Sequence, residues 1–196
     1  MQMEPVTLHN MPFNTGWIEV ITGCMFSGKT EELIRRLRRA QIAKQQVVIF
    51  KPKVDNRYST TQIVSHSEQF LTSNVIDNPL EICDLGGKAQ VIGVDEAQFF
   101  EPSLIEVCER LANSGKRVII AGLDQDYRGR PFGPMPELLA LGEYITKTLA
   151  ICMVCGNPAD RTQRITQQQE LVVVGARDVY EARCRKCFVP PSESER

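Results

Sequence analysis

The stretch Ile18-Glu19-Val20-Ile21-Thr22-Gly23-Cys24-Met25-Phe26-Ser27-Gly28-Lys29-Thr30 decides how this chain folds. Its last eight residues match the phosphate-loop pattern G-x-x-x-x-G-K-[ST], in which each fixed position has a physical role. Gly23 and Gly28 allow the backbone to curl so that successive N–H groups point into one anion-binding nest, and the residues from Gly23 through Cys24, Met25, Phe26 and Ser27 to Thr30 are expected to hold the nucleotide. Lys29 brings a point charge to the outer phosphates, and the Thr30 hydroxyl is a Mg²⁺ ligand. The flanks read as a short buried strand, 18–22, and a helix, Glu31 to Ala43. Such a strand–loop–helix unit aims a helix N-terminus at the anion. Binding of a nucleoside triphosphate is the expectation.

Further buried strands are expected at 46–50, 91–94 and 117–123, with a more alternating one at 144–150. Helices are expected at 102–113 and 136–141, and an extended polar loop at 53–75. Apolar strands alternating with helices imply a mostly parallel sheet covered on both faces. Residues 1–16 read as a loose leader, 17–150 as the nucleotide-binding domain, 151–188 as a small cysteine-bearing domain, and 189–196 as a frayed tail.

The chain has 196 residues, 42% of them hydrophobic, and a formal net charge of −1. That balance speaks against a dedicated nucleic-acid binder, which carries a basic excess. The run Arg35-Arg36-Leu37-Arg38-Arg39 has Glu31 and Glu32 four residues ahead of Arg35 and Arg36, the spacing of helix-surface ion pairs. We read it as a solvated or subunit-facing helix side. The N-terminus has no basic n-region or apolar h-region, and no apolar run reaches membrane-spanning length. A cytoplasmic location and no membrane partner are expected, so the seven cysteines are not read as disulfides.

Asp95-Glu96 ends an apolar strand. A carboxylate there holds Mg²⁺ in phosphate-loop proteins, and we assign that role to Asp95, with Thr30. Glu96 is then free to take a proton from an attacking hydroxyl. Cys152-x-x-Cys155 and Cys184-x-x-Cys187 supply four thiolates for one tetrahedral Zn²⁺, a closed and therefore structural site. The interval between the pairs exceeds the usual ~15–20 residues, so a long closed loop must lie between them. Cys24, Cys83 and Cys108 are isolated, and Cys108 falls on a helix core face.

The phosphate loop, Asp55-Asn56-Arg57-Tyr58, Val-Asp-Glu-Ala-Gln-Phe-Phe (94–100), Gly-Leu-Asp…Arg-Pro-Phe-Gly (122–133) and the paired cysteines occur here in one order. Together they closely resemble the type II thymidine kinases over about residues 17–188. The resemblance implies an α/β P-loop (RecA-like) fold, mostly parallel with helices on both faces, plus a small zinc-binding lasso domain. It implies transfer of the ATP γ-phosphate to the 5′-hydroxyl of thymidine or deoxyuridine, giving dTMP in pyrimidine salvage, with Mg²⁺ and structural Zn²⁺. Glu96 matches the catalytic base, with Lys29 and Arg57 near the reacting phosphate. Met25, Phe99, Leu123, Phe132, Thr162 and Tyr180 match residues around the thymine, Tyr180 as the stacking ring. The lasso backbone at Val173 and Gly175 matches the segment that hydrogen-bonds the base edge. A homotetramer and feedback inhibition by dTTP are implied as well.

One position departs from the pattern: Cys24 stands where many members carry proline. Tyr127 falls where an aromatic residue is common, so stacking chemistry is retained. The leader before Trp17 has no usable counterpart. Other functions remain open at this level. A zinc-ribbon ATPase acting on nucleic acid would use Glu96 to activate water. A GTPase switch would need an Asn-Lys-x-Asp motif, which this sequence lacks, and a redox-responsive module would use the cysteine pairs as thiols.

Overall fold

The structure, a computed structural model, describes residues 15–53, 62–64, 70–166 and 178–191. Expectations for the leader, for Arg57, for Val173 and Gly175, and for most of the tail lie outside the described residues.

Six strands build one parallel sheet: β1 (Trp17–Thr22), β2 (Val47–Pro52), β5 (Asn74–Ile76), β6 (Val91–Val94), β7 (Arg117–Gly122) and β8 (Tyr144–Lys147). Their spatial order is β5-β2-β6-β7-β1-β8, and every neighbouring pair is parallel. A short antiparallel pair, β3 (Gln62–Val64) and β4 (Phe70–Thr72), precedes β5. The helices are α1 (Lys29–Ile42), α2 (Glu81–Leu85), α3 (Ser103–Asn113) and α4 (Met135–Leu141).

Alternation along the buried strands sorts side chains onto two faces. Ile21, Ile119, Ala121, Ile49 and Val91 meet Leu33, Ile34, Leu37 and Ala40 of α1. Ile18, Val20, Ile92, Val94, Val118 and Ile120 meet Leu104, Val107, Cys108 and Leu111 of α3 and Leu138 of α4 on the other side. The chain leaves β1 toward β2 but leaves β7 toward β8 in the opposite direction. Right-handed crossovers then place α1 on one face and α3 and α4 on the other. The reversal falls between β1 and β7, and the crevice at the carboxyl ends of such strands is where α/β folds bind ligands.

Cys108 sits fully buried on α3, as its position in the apolar stripe implied, and burial pushes its thiol up. Glu19 is a buried charge within an otherwise apolar strand. It accepts hydrogen bonds from Arg117 Nε (2.5 Å), Arg36 Nη1 (2.7 Å) and Trp17 Nε1 (2.8 Å). Burial alone would raise its pKa, but the Arg117 bond and charge, with Trp17 and Arg36, hold it below the ordinary value.

Three expectations are corrected. Residues 53–75 are not one extended loop: β3 and β4 pair there, and Asn74–Ile76 adds an edge strand to the main sheet. The helix α2 was not anticipated. The alternating strand stops at Lys147 rather than running to Ala150. Ala150–Ile151 forms β9, which pairs antiparallel with β10 (Pro158–Ala159). The alternation itself is that of an edge strand, since β8 has β1 as its one partner among the described residues.

Beyond β9 and β10, β11 (Arg161–Arg164) pairs antiparallel with β12 (Tyr180–Arg183). This cysteine-bearing module has its own small core of Ala150, Cys152, Ala159, Ala182 and Cys184. Cys24 of the phosphate loop belongs to the same core.

Candidate active site

The phosphate loop joins β1 to α1. Three of its residues have positive φ: Gly23 (142°), Phe26 (66°) and Gly28 (86°). Glycine is required at 23 for a second reason, because a Cβ there would run into the Thr148 carbonyl. Ser27 Oγ lies 2.8 Å from Thr148 Oγ1, which pins the loop to the end of β8. Lys29 Nζ folds back to donate to the Cys24 carbonyl at 2.8 Å, across the mouth of the nest. The curled amides and the lysine make a concave cationic cradle that fits a polyphosphate.

Although β7 separates β1 from β6, Thr30 Oγ1 and the buried Asp95 carboxylate face each other, 3.4 Å to each oxygen. A relaxed hydroxyl–carboxylate bond is shorter, ~2.5–3.0 Å. This spaced set of hard oxygen donors fits a Mg²⁺ ion. Glu96 follows in the left-handed region at φ 52°, ψ 40°, a conformation that costs a non-glycine residue about 1–3 kcal/mol and concentrates at functional sites. Its N–H donates to Asp95 Oδ1 (3.0 Å), and its carboxylate accepts from Gln98 Nε2 (2.6 Å). Gln98 sits on the 3₁₀ turn Ala97–Phe99 and is buried.

Phe99 and Phe132 form an edge-to-face pair, centroids 5.7 Å apart at 89°. Leu123 is buried at the end of β7, and its N–H donates to Gln98 Oε1 (2.9 Å). On the module side, buried Thr162 accepts a hydrogen bond from the Met25 N–H at 3.0 Å. Tyr180 and Tyr127 share a cluster with Val179, against which Met25 and Phe26 pack. The residues matched to the thymine pocket thus fall in two groups: Phe99, Leu123 and Phe132 by the acid segment, and Met25, Thr162 and Tyr180 where the phosphate loop meets the module. One ring is already engaged. The Arg164 guanidinium lies 3.6 Å from the Tyr127 centroid and 5.2 Å from that of Tyr180, and Nη2 donates to the Tyr180 hydroxyl at 2.7 Å.

Cys152, Cys155, Cys184 and Cys187 converge, with all four Sγ atoms within 4.8 Å of one another. Cys155 and Cys184 are 3.6 Å apart. Sulfurs at ~2.3 Å around a tetrahedral Zn²⁺ are separated by about 3.8 Å, so the quartet fits that ion. Gly156, with φ 74°, turns the chain after the first pair, and its N–H donates to the Cys152 carbonyl. Burial pushes the Cys152 thiol up, but backbone N–H groups of Cys184, Val154 and Cys155 outweigh it and bring it down to about 6. Cys187 is pushed up to about 12, first by its hydrogen bond to Cys155 and then by burial. One thiolate propped up by neighbouring thiols is the proton arrangement that a dication resolves.

The arginine run is occupied locally. Arg35 and Arg36 both pair with Glu32 at 2.6–2.7 Å, and Arg36 also reaches Glu19 and Thr146. Glu32, rather than Glu31, carries both helix-surface pairs. Sequence reasoning missed Gln98, Arg164 and Lys51. Lys51 is buried at the end of β2, in register one step beyond Phe50↔Val94 and so beside Asp95. A lysine closing an apolar strand run was its available signal.

A phosphate loop on β1, an acidic pair on β6 and a four-cysteine module on the loop's flank define a P-loop nucleotide-binding protein with an appended module whose cysteines could hold a metal ion. The profile of one family, described as thymidine kinase, matches residues 16–188. The chain is 59% identical over 191 residues to a protein named thymidine kinase from Rhodothermus sp. (strain ITI 518), covering 97% of this chain and 89% of that one. The chain belongs to the thymidine kinase family. The match does not favour an ATPase directed at nucleic acid. Among the described residues, no helix is long and apolar enough to cross a membrane.

Proposed function

We propose that this protein phosphorylates thymidine, and deoxyuridine, at the 5′-hydroxyl with the γ-phosphate of ATP. The observation that carries the reading is the placement of Glu96: held in a left-handed turn directly after Asp95, it adjoins the metal carboxylate without being its duplicate. Gly23 to Thr30 cradle the phosphates of ATP and Lys29 holds their outer oxygens; Thr30 and Asp95 would hold Mg²⁺, which would neutralise charge on the transferring group. Glu96 accepts the proton of the 5′-hydroxyl as the new O–P bond forms and the bridge to the β-phosphate breaks, releasing ADP. Arg57 supports the transferring group. Met25, Phe99, Leu123, Phe132, Thr162 and Tyr180 surround the base, and the backbone at Val173 and Gly175 reads its edge.

In this reading residues 17–150 form the donor domain and 151–188 a zinc-tied module that closes over the nucleoside. Feedback inhibition by dTTP, a homotetrameric assembly and a cytoplasmic location belong to the same proposal. The test is transfer of labelled γ-phosphate across the deoxynucleosides, with and without Mg²⁺. Mg²⁺-dependent label in dTMP is expected; ATP hydrolysis indifferent to thymidine overturns the reading.

A further inference from the structure

Gln98 is buried at 2% exposure with both ends of its amide engaged. The Leu123 N–H can only donate, so the atom facing it at 2.9 Å must be Oε1. That fixes the flip of the amide and leaves Nε2, a donor, 2.6 Å from Glu96 Oε2. The amide is closely packed: a Cβ on Gly122 would lie 3.0 Å from Gln98 Oε1 and 2.6 Å from Met135 Sδ. Gly133 packs against the Gln98 backbone, where a Cβ would run into the Gln98 carbonyl.

We infer that Gln98 is a positioning residue that fixes the Glu96 carboxylate and the Leu123 side of the acceptor pocket through a single amide. The inference deepens the proposed function and rests on Glu96 acting as the base. Left-handed backbone sets where the Glu96 side chain starts, and the Gln98 donor fixes one of its oxygens.

The test compares steady-state kinetics of the full chain with Gln98→Glu and Gln98→Met. Gln98→Glu keeps an acceptor for Leu123 but sets a second carboxyl group against that of Glu96, and the thioether of Gln98→Met cannot donate. Both are expected to lower kcat about tenfold or more, with the KM for Mg·ATP unchanged within about twofold. An unchanged kcat in both variants overturns the inference. A second measurement needs no Gln98 variant. The Gln98 side-chain ¹⁵N resonance is expected to shift between the unmodified protein and Glu96→Ala. A resonance that stays in place also overturns the inference. Failure of thymidine phosphorylation itself would instead overturn the functional reading, and the amide resonance would still decide whether Gln98 holds Glu96.

Discussion

The backbone N–H of Met25, inside the phosphate loop, donates its hydrogen bond to the hydroxyl of Thr162, 137 residues away on β11. A loop amide is thus satisfied by the cysteine-bearing module rather than by its own domain. The phosphate loop and the cysteine-bearing module share a joint at this bond.

Thr162→Val removes the acceptor and leaves a part-buried N–H unpaired, at a cost of about 1–3 kcal/mol. Roughly five- to hundredfold weaker productive binding is expected, in the KM for ATP as well as for thymidine, with Thr162→Ser restoring most of it. Steady-state kinetics with each substrate varied in turn checks this. A change confined to thymidine would mean that the hydroxyl serves only the base pocket.

Glu96→Gln keeps the size of the side chain but abolishes the proton acceptor. Turnover should fall by about 10²-fold or more with nucleotide affinity retained. Isothermal titration with an ATP analogue, alongside kcat, separates the two quantities. An unchanged kcat would remove Glu96 as the base.

Metal removal should be felt beyond the cysteines. Chelation is expected to release about one zinc per chain and to open residues 150–188 to protease. It should also weaken nucleotide binding, because Cys24 packs in the module's core and donates from Sγ to the Ala159 carbonyl at 3.3 Å. Cys184→Ser should mimic it. Zinc content, limited proteolysis and nucleotide affinity are the readouts, and full zinc content in Cys184→Ser would exclude the four-sulfur site.

Glu19 gives the fold an acid-sensitive element. Its folded pKa lies below the ordinary value of 4.5, so its contribution is complete above that pH and is lost as pH falls through the lowered folded value. Glu19→Gln leaves Arg36 and Arg117, both largely buried, without their shared carboxylate; about 3–5 kcal/mol should be lost at pH 7. Chemical denaturation of both proteins from pH 7 to 3 checks this, with the gap expected to narrow below about pH 4.5.

Much of this was legible in the sequence because the signals were local. The pattern from Gly23 to Thr30 prescribes its own conformation, and apolar runs such as Val91–Val94 were bounded within a residue or two. What escaped depended on distant partners. Asn74–Ile76 is three residues long and is a strand because β2 offers it an edge. Glu19 looks misplaced in β1 until Arg117 and Arg36 arrive from other elements. Gln98 sits in a quoted motif, but its role requires knowing that Leu123 and two glycines surround it. Cys24 reads as a variable loop position until Ala159 is placed over it.

Cys24 also limits how the chain can be divided. A protein cut after β8 would not be a smaller ATP-binding domain. It would carry a phosphate loop with one buried side chain stripped of its neighbours and one amide stripped of its acceptor. For the same reason, grafting a foreign module onto this sheet would succeed only if positions 24 and 25 travelled with it. The boundary between the parts therefore runs through the phosphate loop and not through the connection that follows β8.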